Sequence, residues 1–144
     1  ISKSDSVDGK LLLDTGPLVA LLNSRDQDHE RCKSFFEKFR GALFTTEPVL
    51  TESLFLLQDI KDGTERVFEF FIRGAAILFP QSKESLIRCK TFMRRYADTP
   101  MDFADATILV LAEELEIRKV FTLDRRGFET YRIKDKLSVE VFPE

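Results

Sequence analysis

The chain has 144 residues, of which 43% are hydrophobic and 33% charged, and its formal net charge is −3. This composition is typical of one globular domain that is large enough to bury a core. No apolar run reaches the roughly 18 residues that span a bilayer. The net negative charge argues against a protein that binds nucleic acid over its whole surface.

The first nine residues are polar, and we interpret residues 1–9 as a tail that precedes a single domain at residues 10–144. The tail lacks the apolar segment of a signal peptide. Cys32 and Cys89 fit neither a disulfide framework nor a Cys-x-x-Cys metal site. We therefore expect free thiols and a cytoplasmic protein.

Short apolar runs alternate along the chain with segments of helical periodicity. The predicted strands are 10–14, 42–46, 75–79, 119–123 and 137–144. The predicted helices are 16–23, 27–40 (ending at Gly41), 46–59, 64–73, 82–97 and 99–116, with a turn or short helix at 124–128. Because helices separate nearly all the strands, the connections must cross over the sheet. The sequence therefore predicts the α/β class, as a three-layer α/β/α sandwich around a five-stranded, mostly parallel sheet.

Two acidic residues directly follow predicted strands. Asp14 comes after "LLL", and Asp124 comes after "VFTL". Both should lie at the carboxyl ends of parallel strands, which is the edge where open α/β sheets bind ligands. Each of them could equally cap the helix or turn that follows it.

Two further acids fall in apolar parts of predicted helices. Glu52 has largely apolar neighbours at helical spacing, although a glutamate can also extend from the margin of an apolar face. Asp105 is the only ionisable residue in "FADATILVLA", and a buried carboxylate is unfavourable unless it is protonated, hydrogen-bonded or bound to a cation. Asp102 has a structural role available, because it completes a capping box with Thr99. For Asp105 we predict no such role.

Carboxylates that gather at one edge of a sheet repel one another unless a divalent cation lies among them. The candidate ligands here are all oxygen atoms, and His29, the only histidine, is predicted on a helix surface. Oxygen ligands favour Mg²⁺ or Mn²⁺ over Zn²⁺. The sequence therefore indicates a magnesium or manganese site.

The segments "LLLDTGPLVALL", "TTEPVLTESLFLL", "MDFADATILVLAE" and "KVFTLDRRGF" together resemble the PIN-domain family. The likeness is greatest to the small VapC-type ribonucleases of prokaryotic toxin–antitoxin pairs, and it extends from about Leu11 to Phe142. It implies an α/β/α sandwich with an acidic Mg²⁺ or Mn²⁺ pocket, and an endoribonuclease that hydrolyses RNA phosphodiester bonds. It further implies a homodimer and an antitoxin protein as partner.

The resemblance also implies roles for individual residues. The catalytic acids of the family fall on Asp14, Glu52, Asp105 and Asp124. Asp14, Asp105 and Asp124 are expected to bind the metal, together with Asp102, which matches an additional acid of many relatives. The supporting small hydroxyl residues of the family match Thr15 and Thr122.

An RNA substrate needs positive charge near such a pocket. Arg125 and Arg126 directly follow Asp124, and Arg94 and Arg95 belong to the basic segment 82–97. We predict that these four arginines bind substrate, although a solvated helix face would also explain the basic segment.

Other functions share parts of this pattern. "DTG" is the catalytic motif of aspartic proteases, but those enzymes are all-β and this chain is dominated by helices. A haloacid-dehalogenase-type phosphatase needs a second Asp two residues after the first, where this chain has Gly16. A metal-dependent phosphatase of another α/β family remains an alternative. So does a catalytically weak PIN-like module that binds RNA or protein.

Overall fold

The computed structural model of the protein describes residues 8–144, so most of the predicted tail lies outside it. Within that range no helix is both long and apolar enough to cross a membrane. Each predicted strand and helix has a counterpart, and the segment after Asp124 is a short helix. The elements are β1 (Asp8–Leu13), α1 (Thr15–Leu22), α2 (His29–Lys38), β2 (Arg40–Thr46), α3 (Glu47–Leu56), α4 (Gly63–Ile72), β3 (Ile77–Phe79), α5 (Lys83–Arg95), α6 (Phe103–Leu115), β4 (Lys119–Phe121), α7 (Arg125–Thr130) and β5 (Glu140–Phe142).

The five strands form one parallel sheet in the order β3-β2-β1-β4-β5, which confirms the predicted fold class. The central strand β1 contributes Leu11, Leu12 and Leu13, all fully buried, as expected for a strand covered on both faces. From β1 the chain builds outward through β2 and β3, then returns to the other side of β1 as β4. The strand order therefore reverses between β1 and β4, which is where open α/β sheets bind ligands.

Helices cover both faces of the sheet. Right-handed connections place α1 to α4 on one face and α5 to α7 on the other. On the first face Phe35 of α2 packs against Phe121 and Phe142, with ring centroids 4.7 and 5.8 Å apart. On the second face α6 contacts β1, β2 and α5, and most of its residues are buried. This packing fixes the first turn of α6 at the carboxyl edge of the sheet.

Several boundaries differ from the prediction by a few residues, and those near β1 and β2 have a clear physical reason. β1 begins at Asp8, two residues before the predicted strand. The helix predicted to end at Gly41 ends at Lys38, and Gly41 lies within β2. Gly41 has a φ of +150°, and a Cβ atom there would collide with the carbonyl oxygen of Gly9. This glycine therefore allows β1 and β2 to approach closely and does not stop a helix.

The start of α6 corrects a prediction about Asp105. The helix begins at Phe103, so Asp102 is its N-cap and the capping box joins Asp102 to Asp105. Oδ1 of Asp102 accepts from the Asp105 N–H at 2.8 Å, and Oδ2 of Asp105 accepts from the Asp102 N–H at 3.1 Å. Thr99 belongs to the preceding turn, where its N–H donates to the Tyr96 carbonyl at 2.9 Å. Asp105 therefore has a structural role that we did not expect.

Candidate active site

A pocket of about 700 Å³ opens at the carboxyl edge of the sheet, where the strand order reverses. Acids from the ends of β1 and β4, from α3 and from the start of α6 all line this pocket. The fold thus brings together the carboxylates that the sequence analysis selected, which are Asp14, Glu52, Asp102, Asp105 and Asp124.

Asp14 forms the buried floor of the pocket and is only 7% exposed. Its backbone N–H donates to the Phe121 carbonyl at 3.0 Å, and its Oδ2 accepts from Oγ1 of Thr122 at 2.7 Å. Burial raises the pKa of Asp14 to about 6, although hydrogen bonds from Thr122 and the Thr15 backbone act in the opposite direction. The charges of Asp102 and Glu52 raise it further. A cation near this carboxylate would relieve an unfavourable negative charge.

Glu52 extends from α3 to the start of α1. Oγ1 of Thr15 donates to Oε1 of Glu52 at 2.6 Å, and the glutamate is half-buried. Burial raises the pKa of Glu52, the bond from Thr15 lowers it, and the charge of Asp102 raises it. Thr15, the residue that follows Asp14, therefore fixes the direction of the Glu52 carboxylate.

Asp105 is half-buried at the first turn of α6, whereas Asp102 is exposed. Burial and the charge of Asp14 raise the pKa of Asp105 to about 8, and Asp102 contributes to the same direction through its charge. The backbone N–H of Asp102 partly offsets this shift. Ionisation of Asp105 is therefore unfavourable in the metal-free cluster, and a bound cation would favour it.

Asp124 is the exposed N-cap of α7. Its Oδ1 accepts from the Gly127 N–H at 3.1 Å, and its own N–H donates to Oγ1 of Thr122 at 3.0 Å. The hydroxyl of Thr122 therefore accepts from Asp124 and donates to Asp14. A single side chain links the acid after β1 to the acid after β4.

The donor set suits a hard divalent cation, because every candidate ligand is a carboxylate oxygen. Within residues 8–144 no three acidic, histidine or cysteine side chains stand close enough together to hold a metal ion as they are. Glu52, Asp105 and Asp124 each have one oxygen engaged by a neighbouring donor. Each of these carboxylates has a second oxygen that could bind a cation if the side chains moved closer together. The residues therefore fit a divalent cation after a local rearrangement.

The loop between α1 and α2 also lines the pocket, and the sequence analysis missed it. Asn23, Asp26, Gln27 and Asp28 face the same space as Asp14. Acids in a polar loop are common, so their identity alone gave no signal. The usable clue was the length of α1, which spans only about 12 Å and therefore keeps the loop near the pocket.

The arginines predicted to bind substrate do not line the acidic pocket. Arg125 donates to the Pro143 carbonyl at 2.8 Å and lies 3.6 Å from a Glu129 carboxylate oxygen. Arg95 forms an ion pair with Asp135 at 2.7 Å. The side chains of Arg94 and Arg126 are exposed. A role of these residues in RNA binding remains a prediction.

Residues 11–134 match the sequence model of the PIN domain. The chain belongs to the PIN-domain family. This PIN domain is 26% identical over 124 residues to ribonuclease VapC26 of Mycobacterium tuberculosis, a match that covers 85% of this chain and 92% of that protein. The family assignment made from sequence is confirmed, and so is the likeness to VapC proteins.

Solved VapC structures share the fold of this PIN domain. VapC20 of Mycobacterium tuberculosis, described as a toxin that cleaves the sarcin–ricin loop, aligns with a TM-score of 0.74 at 18% identity, over 80% of this chain and 90% of that one. A chain of the VapBC2 complex of Rickettsia felis, bound to a DNA fragment from its promoter, aligns with a TM-score of 0.61 at 14% identity, over 93% of this chain and 99% of that one. At these identities the comparison supports the fold alone.

Proposed function

We propose that this PIN domain is an endoribonuclease that hydrolyses RNA phosphodiester bonds with Mg²⁺ or Mn²⁺, and that it is the toxin of a toxin–antitoxin pair. One observation carries the proposal: carboxylates from four elements meet in one pocket at the reversal of strand order. The names of VapC26, a ribonuclease, and VapC20, a toxin that cleaves the sarcin–ricin loop, support the same activity.

We assign the divalent ion to Asp14, Asp105 and Asp124, with Asp102 and Glu52 at the edge of the site. When bound, such an ion supplies an activated water nucleophile and neutralises charge on the phosphate. Thr122 and Thr15 hold the carboxylates of Asp14 and Glu52 in fixed directions before substrate arrives. Because Asp14 is shielded from solvent, charges around it interact more strongly than they would in water.

The test is cleavage of RNA by the purified chain. Total RNA and a sarcin–ricin loop oligonucleotide would be incubated with Mg²⁺, with Mn²⁺ or with EDTA. We expect metal-dependent cleavage that Asp14→Asn abolishes and that Asp98→Asn, a change at an exposed residue outside the pocket, leaves unchanged. Equal cleavage by wild type and Asp14→Asn would contradict the assignment of the site. Activity that Zn²⁺ supports and Mn²⁺ does not would contradict the choice of metal.

We further propose a homodimer. Apolar side chains are exposed on α3 and α5, with Phe55 68% exposed, Leu56 55% exposed and Ile87 60% exposed. We propose that these side chains form one contiguous apolar patch, because patches of that kind mark interfaces. Phe55→Asp should therefore give a monomer in sedimentation analysis at micromolar concentration, whereas Phe68→Asp on α4 should remain dimeric. A wild-type chain that is monomeric under these conditions would refute the dimer.

An antitoxin protein is the second partner that we propose, in a cytoplasmic setting that suits the buried free thiols of Cys32 and Cys89. The pocket is lined by seven acids, including Asp26 and Asp28 of the α1–α2 loop. A basic side chain of an antitoxin segment would neutralise part of this charge. One chain of a toxin–antitoxin complex from Klebsiella pneumoniae shares the fold, with a TM-score of 0.62 at 18% identity, and its presence in such a complex supports a partner of this kind.

A further inference from the structure

A second cavity, of about 280 Å³, lies beside the acidic pocket and carries the opposite charge. The α1–α2 loop, the loop that joins α3 to α4 and the start of α4 line it. Its charged side chains are three bases, Arg25, Lys61 and Arg66, and one acid, Asp59. In the part of the chain that the structure describes, no lysine or arginine lines the acidic pocket. This second cavity, the basic cavity, therefore supplies positive charge that the acidic pocket lacks.

The two cavities share one wall, because Asn23 lines both of them. Oδ1 of Asn23 accepts from the Arg25 N–H at 3.1 Å, and its carbonyl accepts from the Asp26 N–H at 3.0 Å. These bonds hold a turn from which Arg25 lines the basic cavity and Asp26 lines the acidic pocket. A chain-like ligand that crosses this turn would therefore contact both cavities.

The bases of the cavity have few partners of their own. Within residues 8–144, Arg25, Lys61 and Arg66 form no ion pair, and all three are exposed. Arg66 is held at one point, because its Nη1 donates to the Leu22 carbonyl at 3.1 Å at the end of α1. A guanidinium group has five donors, so most of those of Arg66 remain for a ligand. Three like charges around one small cavity repel one another, and a bound anion would relieve that repulsion.

We propose that the basic cavity binds the RNA backbone, and that it holds a phosphate near the one that enters the acidic pocket. The proposal rests on the nuclease function proposed above. RNA carries a phosphate at every nucleotide, so a strand with one phosphate in the acidic pocket places further phosphates beside it. Arginine and lysine bind phosphate through charge-assisted hydrogen bonds, and basic grooves follow the backbone of single strands in many proteins. Phosphate is also the group that a divalent ion in the acidic pocket would bind, so one ligand, RNA, suits both cavities.

The test compares two double variants, each of which removes two positive charges. Arg25→Gln/Lys61→Gln changes the basic cavity and leaves Arg66 in place. Lys33→Gln/Lys90→Gln is the matched control, at exposed positions of α2 and α5 that line neither cavity. Binding of a fluorescent single-stranded RNA is measured by anisotropy over a range of salt concentrations, in EDTA so that the RNA is not cut.

We expect Arg25→Gln/Lys61→Gln to bind the RNA about 10-fold more weakly than the wild type. The slope of log affinity against log salt concentration should become shallower by about 0.7, which corresponds to one lost phosphate contact. The control should keep the wild-type slope. With Mn²⁺ present, the KM for RNA cleavage should rise in the cavity variant while kcat stays unchanged, because the lost contact binds substrate and transition state alike.

Equal losses of RNA affinity in both double variants would show a general effect of net charge and would overturn the proposal. So would an unchanged affinity in the cavity variant, or a loss of poly-glutamate binding as large as the loss of RNA binding, which would assign the cavity to acidic protein segments. Failure of the nuclease is a different result. A wild-type chain that binds RNA through Arg25 and Lys61 but does not cut it would refute the nuclease and support the role of the basic cavity. A cavity variant that cuts RNA with the wild-type KM would support the nuclease and overturn that role.

Discussion

Replacing Asp14 by asparagine should stabilise the metal-free protein in a pH-dependent way. Burial places the pKa of Asp14 at about 6 in the folded protein, compared with its usual value of 3.8. This difference of about two pH units corresponds to about 3 kcal/mol. The folded state binds this proton more tightly than the unfolded state, so protonation of Asp14 stabilises the fold. This contribution to the free energy of unfolding is fully present below pH 4 and is lost as the pH rises through 6.

Asparagine cannot ionise, and its amide oxygen can still accept the hydrogen bond from Thr122. In EDTA, Asp14→Asn should therefore match the wild type near pH 4 and exceed its free energy of unfolding by up to about 3 kcal/mol at pH 8. The pKa of Asp105, which burial and the charge of Asp14 raise to about 8, should fall in this variant because one of its causes is removed.

Urea denaturation at pH 4.5, 6 and 8 in EDTA would measure this difference, with Asp98→Asn as the exposed control. Mn²⁺ at pH 8 should then reverse the order, because only a chain that binds the ion gains stability from it by mass action. If Asp14→Asn is less stable than the wild type by the same amount at every pH, Asp14 is a structural residue and the electrostatic argument is wrong.

Two further substitutions test the groups around Asp14. Asp102→Ala removes the acceptor for the Asp105 N–H, so the free energy of unfolding should fall by about 1 kcal/mol in urea denaturation. An unchanged free energy of unfolding would show that this cap contributes little. Thr122→Val removes the donor that lowers the pKa of Asp14, so the acidic limb of the pH profile of RNA cleavage should move to higher pH. An unshifted profile with reduced activity would instead indicate that Thr122 acts only through packing.

The sequence was sufficient for the sheet and for the gathering of the acids. The apolar run before Asp14 predicted a strand buried on both faces, and the positions of Asp14 and Asp124 after strands predicted that they meet at one edge. Both inferences combine a short sequence pattern with a general rule about parallel sheets. Neither of them requires knowledge of contacts between residues that are far apart in the chain.

The details that failed depend on competing local signals or on contacts between distant residues. Thr99 and Asp102 both suit a helix start, and Asp102 takes that position because Thr99 is held in the turn that follows α5. Arg125 follows an acid of the pocket, yet it binds the Pro143 carbonyl near the end of the chain.

The double hydrogen bond of Thr122 has a consequence for the order in which the site can form. Its partner Asp14 is 108 residues earlier in the chain, so the bond closes one of the longest loops in the fold. Contacts of such long range form late, because the entropy of loop closure opposes them until the intervening segments are folded. A chain still being synthesised exposes Asp14 and Glu52 well before it contains the hydroxyl that orients Asp14. The acidic pocket is therefore completed only when β4 docks beside β1.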